Sequence, residues 1–399
     1  LIFKAGDISL KPGEANFELN NLAFKERSGL MLQSFAFNLS VDESELLLED
    51  LAFVTPKNSL SGNIELGYTS INQLINSPEL ANLDLNLNWL KLDPTEFSAF
   101  SPALAKNEYL QTLSNKELIG SLAVAGKVSD LSIDEFSLAW GDSTDINFVG
   151  RIQHLTDTDL LKASLQNIDI RSARKDIVQF IEEDSLGLEL PKQLRLQGNA
   201  TASLNSANAD LRLNTSLGNI SVKGDFSQSE PLAFKADLSA ENLQLRTLLQ
   251  NDQLDTLSFE MKIEGSGTEL SDLDAKLSTS FERLTYNGYD FSNLEISGAL
   301  ENGEGDVKLA FKDENLDMTM LTQLALDSVS PKVNTKLTVK GADLFRMGLT
   351  QANIRTAFEL KASYIGNGAN FDIEAGLNDG VAIYNQEAYN FGGFSMKAK

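Results

Sequence analysis

The sequence predicts an all-β protein, an elongated and curved antiparallel β-sheet that forms a groove and carries short helical inserts. Three observations predict this class. Apolar and polar residues alternate along most of the 399-residue chain. This period of two residues is typical of a strand with one apolar face. Short polar breaks of hairpin type separate the alternating segments. No helix pattern follows the strands of 294–326 to cover their apolar side.

Composition narrows the functional classes. The net charge is −24, from 57 acidic and 33 basic residues, so the basic stripe that a nucleic-acid partner needs is missing. The same charge disfavours flat adsorption on anionic lipid headgroups. The chain has no cysteine, which excludes disulfides, thiolate metal sites and a cysteine nucleophile. A hydrophobic content of 42% is typical of a folded protein.

The strands can be followed in chain order. Apolar residues alternate from Leu83 to Trp89, and the parity then slips at Leu90, which predicts a β-bulge. Further alternating segments cover 194–204, 211–217 and 220–226. At about 10–12 residues per strand and turn, the chain should hold about 30–35 strands.

The segment 294–326 gives the clearest pattern, with three strands whose apolar residues share one parity while Glu, Ser, Lys, Asp and Thr occupy the other. We expect these apolar side chains, with those of 211–222, to line the groove. The candidate lining residues are Leu211, Leu213, Ile220, Val222, Leu294, Ile296, Leu300, Val307, Leu309, Phe311, Leu316, Met318 and Met320.

A weak repeat overlies the strands, in which a strand ends in Leu or Ile and a short helical insert follows. Its anchors are Leu92, Ile170, Leu245 and Leu344. The insert at 171–184 is long enough for an amphipathic helix, and the others should be one or two turns. We therefore divide the one continuous sheet into 1–84, 85–162 with an insert at 93–104, 163–235 with the helix at 171–184, 236–335, and a truncated repeat 336–399.

Catalytic patterns are not found. His154, the one histidine, precedes a polar turn and is interpreted as a surface loop residue. Metal binding by His154 with Asp157 and Asp159 lacks a known ligand spacing. The acidic run 182–184 is interpreted as a solvated helix end. Neither the phosphate-binding motif nor the calcium-binding repeat occurs. We therefore expect neither an enzyme nor a cofactor nor a metal site.

The architecture follows by elimination. A closed outer-membrane barrel should carry aromatic girdles, which 8% aromatic residues do not suggest. A series of sandwiches should show linkers, but the eight prolines are scattered. A single curved sheet fits best, in which apolar parts of the same sheet face each other across a groove.

Several segments resemble the TamB family of AsmA-like envelope proteins. These are "LLLEDLAFVTPKNSLSGNIELGYTSINQL" (46–74), "LNWLKLDPTEFSAFSPAL" (87–104), "GSLAVAGKVSDLSIDEFSLAWGDSTDINFVGRI" (120–152) and, in style, the segment 337–399. Degraded copies of the unit begin at 163 and 236, and the long, turn-rich form looks most like the Bacteroidota versions. The family's N-terminal membrane anchor and C-terminal TamB domain are not recognisable. Since both ends look cut, we expect a central or truncated fragment.

The resemblance implies a β-taco fold and a periplasmic protein of a Gram-negative bacterium, anchored in the inner membrane by a segment missing here. It implies an outer-membrane BamA-like barrel of the TamA type as partner, bound by parts outside or near the C-terminus. It also implies a bridge that moves phospholipid acyl chains along a hydrophobic groove between the two membranes. The family's alternative role is a scaffold for outer-membrane protein assembly and secretion without lipid.

Two further alternatives stay open from the sequence. The inward residues could pack on each other as a closed core, which would make an adhesin or scaffold. A β-helical polysaccharide lyase would need Asp and Arg clustered on one face.

Overall fold

The computed structural model describes residues 1–26, 29, 31–99, 106–327, 329–367 and 370–398. Strands hold 66% of the chain and helices 9%, and the strands form an antiparallel sheet that does not close. The predicted all-β class with short helical inserts is confirmed. The chain divides into two compact units, 1–186 with 191–204, and 187–190 with 205–399. The five-part division stays a prediction.

In the first unit each strand pairs antiparallel with the next, except that the short β3 lies beside β2, which also pairs with β4. The strands are β1 (Ile2–Lys11), β2 (Glu14–Lys25), β3 (Met31–Leu32), β4 (Ser34–Val41), β5 (Glu45–Val54), β6 (Ser59–Gly67), β7 (Asn82–Leu92), β8 (Leu118–Lys127), β9 (Asp130–Trp140), β10 (Thr144–Gln153), β11 (Lys162–Ala173) and β12 (Gln193–Ser203).

The helices of this unit are short, and all lie between strands. They are α1 (Ile71–Asn76), α2 (Glu108–Ser114), α3 (Arg174–Ile177), α4 (Glu183–Leu186) and the 3-10 turns Pro78–Leu80 and Pro94–Ala99. The insert predicted at 93–104 is described only up to residue 99, so its end lies outside the described residues.

The prediction of one helix over 171–184 is wrong. Strand β11 continues to Ala173, because Arg171 still pairs with Asp145 on one side and with Arg195 on the other. Two single turns, α3 and α4, follow it. The apolar side chain of Phe180 packs between them against Trp140, with ring centroids 5.1 Å apart. Strand pairing therefore overrides the helical pattern.

The second unit follows the same plan. Its strands are β13 (Ser206–Thr215), β14 (Gly218–Ser227), β15 (Leu232–Gln244), β16 (Leu254–Gly267), β17 (Asp274–Tyr286), β18 (Tyr289–Asp290), β19 (Leu294–Glu301), β20 (Glu304–Lys312), β21 (Leu316–Ala325), β22 (Lys332–Asp343), β23 (Ile354–Gly366), β24 (Phe371–Tyr384), β25 (Glu387–Phe391) and β26 (Phe394–Ala398). The short β18 lies beside β17, and β24 pairs with both β25 and β26. One helical turn, α5 (Leu245–Leu248), and one 3-10 turn, Leu270–Asp272, interrupt them.

The described strands number 26, fewer than the 30–35 predicted, because many run to 12–14 residues where shorter strands were assumed. The three strands predicted within 294–326 are β19, β20 and β21. The predicted bulge near Leu90 is also confirmed, since the register of β7 against β8 shifts between Leu87 and Leu90. No helix in the described part of the chain is both long and apolar enough to cross a membrane.

Candidate functional surface

One face of the second unit is apolar from strand to strand. In an antiparallel pair, residues directly opposite one another project from the same face. Leu213 lies opposite Ile220, and Leu211 lies opposite Val222. Following these pairs from β13 to β26 defines four parallel rows, each displaced by two residues along the strands.

The first row is Leu213, Ile220, Ala240, Phe259, Phe281, Leu294, Phe311, Met318, Val339 and Phe358. The second is Leu211, Val222, Leu238, Met261, Thr279, Ile296, Leu309, Met320, Leu337, Leu360, Leu377 and Phe394. The third is Ala209, Gly224, Ala236, Ile263, Leu277, Gly298, Val307, Thr322, Thr335, Ala362, Ala375 and Met396, and the fourth is Ala207, Phe226, Phe234, Gly265, Ala275, Leu300, Gly305, Leu324, Val333, Tyr364, Ile373 and Ala398.

The second row is an almost continuous line of bulky apolar side chains. It crosses twelve strands, and only Thr279 is polar. At about 4.8 Å between neighbouring strands, the row measures about 53 Å along the sheet. Four rows at about 6.8 Å spacing make the face about 20 Å wide. We call these four rows the apolar face.

Twelve of the thirteen predicted lining residues lie in these rows, and Leu316, opposite Ala342, lies one step beyond the first row on the same face. Leu213 and Val222 lie on neighbouring strands, β13 and β14, and on the same face. Leu238, Met261, Leu337 and Leu360 were missed. Their alternation is visible in the sequence, but only the register joins them to the others.

The apolar face is closed at one end of its strands. At this end, which we call the insert edge, lie the connections 216–217, 245–253, 287–293, 313–315 and 344–353. The connection 287–293 contributes Phe291, and the connection 344–353 contributes the buried Met347. Both pack in a core cluster with Leu294 and Phe311. The Phe291 and Phe311 ring centroids are 5.3 Å apart. Three predicted lining residues, Leu294, Phe311 and Leu316, are therefore core residues.

Away from the insert edge the face stays partly exposed. Among the described residues, no apolar side chain of the second, third or fourth row is buried, and Phe226 and Phe394 are 41% and 69% exposed. The ten remaining predicted lining residues are all half-buried. One local adaptation is at Gly265, where an added Cβ would lie 2.6 Å from the ring of Phe234, so glycine allows this ring to cover the sheet.

Polar groups hold the insert edge in place. Tyr289 donates its hydroxyl proton to Asp313, which also accepts from the backbone N–H of Leu316 at 2.7 Å. Burial and this carboxylate raise the pKa of Tyr289. Asp343, 8% exposed, accepts from the backbone N–H of Arg346 at 3.1 Å and from Arg355 at 3.1 Å. These bonds outweigh burial and lower the pKa of Asp343.

The opposite, polar face of β21–β26 carries a shallow cleft of about 470 Å³ that includes Lys336, Lys361 and Lys397. Lys336 and Lys361 both pair with Glu359, at 2.8 and 3.2 Å. Lys397 pairs with Glu374. Since the lysines are neutralised within the sheet, this cleft is a weaker candidate than the apolar face.

The first unit has its own apolar face. One row runs through eleven strands, namely Ile8, Phe17, Leu39, Leu48, Ile64, Leu85, Val124, Ile133, Gly150, Leu165 and Ala200. Val124, Leu131 and Ile133 form a small buried cluster on it, and the Phe136 and Phe148 rings stack at 4.3 Å.

A buried ion pair lies beside this face. Asp176, 1% exposed, accepts from Lys116 and, at 2.7 Å, from the hydroxyl of Thr144. The Lys116 ammonium lies 4.3 Å from the centre of the Trp140 ring. Although burial opposes it, these hydrogen bonds lower the pKa of Asp176. The pair anchors the insert after β11 and has a structural role.

The accessible surface is large for the mass. It is 23991 Å² for 43.6 kDa. A compact chain of this mass exposes about 15,000 Å², and even two separate compact halves would expose about 18,500 Å². In the part of the chain that the structure describes, a second layer of structure therefore does not cover the sheet as it would in a globular domain.

His154 lies in an exposed turn, as predicted. In the parts of the chain that the structure describes, no group of three or more His, Asp or Glu side chains could hold a metal ion. No protein-family model, curated protein or solved structure matches the chain. The surface must therefore be interpreted on its own chemistry.

Proposed function

We propose that the apolar face binds acyl chains, and that the protein is a section of a conduit for phospholipids between the inner and outer membranes. The observation that carries the proposal is the second row, about 53 Å of apolar side chains that are half-buried from Leu211 to Leu377 and broken only at Thr279. Each CH₂ group that leaves water contributes about 0.8 kcal/mol, so a face of this size would hold acyl chains firmly.

Movement along the face would be easy. The acyl chains of one leaflet span about 15 Å, half of the hydrocarbon thickness of a bilayer, and the face is about 20 Å wide. Because the rows offer similar apolar side chains from strand to strand, neighbouring positions differ little in binding free energy. A lipid could therefore shift between positions without leaving an apolar surface.

The setting rests on the TamB-like segments quoted above. From them we propose a periplasmic location, anchoring in the inner membrane and binding to a BamA-like outer-membrane barrel. The same segments leave the scaffold role in outer-membrane protein assembly as the alternative. The two roles differ in one respect that can be measured, namely whether lipid contacts the apolar face.

Photo-crosslinking at adjacent residues provides the test, because Leu309 and Lys308 project from opposite faces of β20. A benzoylphenylalanine at Leu309 should crosslink to phospholipid in cells, and one at Lys308 should not. Leu337 and Lys336 form a second matched pair on β22. Extraction and mass spectrometry of the purified protein should also recover phospholipid. Equal labelling at both faces, or no lipid at either, would overturn the proposal in favour of a scaffold.

A further inference from the structure

The first row of the apolar face is covered where it crosses β19, β20 and β22. Its residues there, Leu294, Phe311 and Val339, are 6%, 3% and 6% exposed. On the same three strands, the residues of the second, third and fourth rows are half-buried. A hydrocarbon chain that lies along these strands therefore meets an obstacle at the first row and an open apolar surface in the other three.

Two connections of the insert edge form this obstacle, and hydrogen bonds hold both of them against the strands. The ring centroid of Phe291 lies 5.3 Å from that of Phe311, and the backbone N–H of Phe291 donates to the Leu284 carbonyl at 2.8 Å. Met347, 5% exposed, packs in the same cluster, and its backbone N–H donates to the Asp343 carbonyl at 3.0 Å. We call Phe291 and Met347 the end wall. Because backbone hydrogen bonds hold both connections, the end wall has a fixed position on the face.

At the other end of these strands the apolar face ends with the fourth row. Leu300 is followed by the exposed Glu301 and Asn302, and Val333 is preceded by the exposed Lys332. Three steps of about 6.8 Å separate the first row from the fourth, so the open surface is about 20 Å long. An extended hydrocarbon chain with C–C bonds of about 1.52 Å and angles of about 111° advances about 1.25 Å per carbon. The open surface therefore matches a chain of about 16 carbons.

We propose that the end wall limits the acyl chains that the apolar face holds along its strands to about 16 carbons. This inference rests on the proposed function, since it specifies which lipids the face would take. Up to this length, each added CH₂ group covers more of the apolar face. Beyond it, each CH₂ group would project past the fourth row into water, which lowers the affinity about four-fold relative to a bilayer, where the group is buried.

The experiment uses fluid phosphatidylcholine vesicles that contain small, equal amounts of saturated lysophosphatidylcholines with 14, 16, 18 and 20 carbons. The purified protein is incubated with the vesicles and separated from them, and mass spectrometry gives the ratio of bound to vesicle lysolipid for each length. We expect this ratio to be highest at 16 carbons. It should be about four-fold lower at 14 carbons, where two CH₂ contacts are missing, and about 15-fold lower at 18 carbons, where two CH₂ groups lie in water.

Substitutions in the end wall test its role directly. Met347→Ala and Phe291→Ala each open about one row step, so the bound 18-carbon lysolipid should rise about ten-fold relative to the 16-carbon one. Phe345→Ala is the matched control, because Phe345 lies in the same connection as Met347 but is 51% exposed. This control should keep the maximum at 16 carbons. Urea unfolding followed by circular dichroism identifies the variants that remain folded.

The outcomes separate the two proposals. A bound ratio that does not depend on chain length, or a maximum that stays at 16 carbons in the folded end-wall variants, overturns the length limit and leaves lipid binding intact. An equal shift in the Phe345→Ala control also overturns it. If neither end-wall variant folds, the length profile of the original protein decides, and a flat profile overturns the limit. Recovery of no lysolipid from any folded protein instead contradicts the proposed function itself.

Discussion

Replacement of Phe311 by alanine tests the distinction between the closed and the open part of the apolar face. Phe311 is 3% exposed and packs with Leu294, Phe291 and Val339 in the core at the insert edge. Phe226, in the fourth row, is 41% exposed and lies opposite Phe234. The same substitution at both positions removes the same atoms from different surroundings.

The expected magnitudes differ several-fold. Phe-to-Ala changes in a closed core cost about 3–5 kcal/mol, because a cavity adds to the lost transfer free energy. Phe226→Ala should cost about 1 kcal/mol, since much of this ring is already in water. At about 2–4 °C per kcal/mol for a unit of this size, Phe311→Ala should lower the melting temperature of the second unit by about 6–20 °C.

Urea unfolding followed by circular dichroism, with the transition of each unit fitted separately, gives the two free energies of unfolding. Equal losses for Phe311→Ala and Phe226→Ala would refute the gradient of burial across the rows. A loss below about 1 kcal/mol at Phe311 would refute the core at the insert edge. Because Phe311 is buried, substitutions there report on stability, and tests of lipid contact belong at Leu309.

Three further predictions follow from polar contacts and register. Asp176→Asn should destabilise the first unit by about 2–4 kcal/mol at pH 7, by leaving Lys116 without its carboxylate. Because the pKa of Asp176 is lowered in the folded state, its stabilising effect is present above the unfolded pKa of about 3.9 and is lost as pH falls through the folded pKa. Between pH 7 and pH 3 the urea midpoint should therefore fall less steeply in the variant than in the original protein. An equal fall in both proteins would contradict this. Tyr289→Phe should cost about 1–2 kcal/mol in urea unfolding, since Asp313 loses a buried donor, and an unchanged midpoint would show that the bond contributes nothing. In the cysteine-free chain, Leu213→Cys should form a disulfide with Ile220→Cys more readily than with Val222→Cys, as measured by gel mobility after mild oxidation, and the reverse preference would refute the register of β13 and β14.

The sequence by itself determined the class of the fold and identified thirteen residues of the apolar face. Alternation has a period of two and depends only on neighbours along the chain, so it identifies strands such as β19 to β21 without any knowledge of packing. For the same reason Leu309 and Met320 could be assigned to one face before their strands were known to pair. The short polar breaks located the hairpins, because turn residues act locally.

Tertiary structure decided what depends on pairing and on burial. The helix expected over 171–184 is replaced by the end of β11 and two separate helical turns, because hydrogen bonds to β10 and β12 hold 171–173 in the strand against a weak local helical preference. Alternation could not distinguish Phe311 from Val307. In the structure Phe311 is enclosed by connections that are distant in sequence, whereas Val307 stays half-exposed. The contact between the turns 266–274, 301–304 and 325–332 also required register, since the backbone N–H of Gly303 reaches the Leu273 carbonyl, and that of Leu326 the Gly303 carbonyl, only when these turns meet at one end of the sheet.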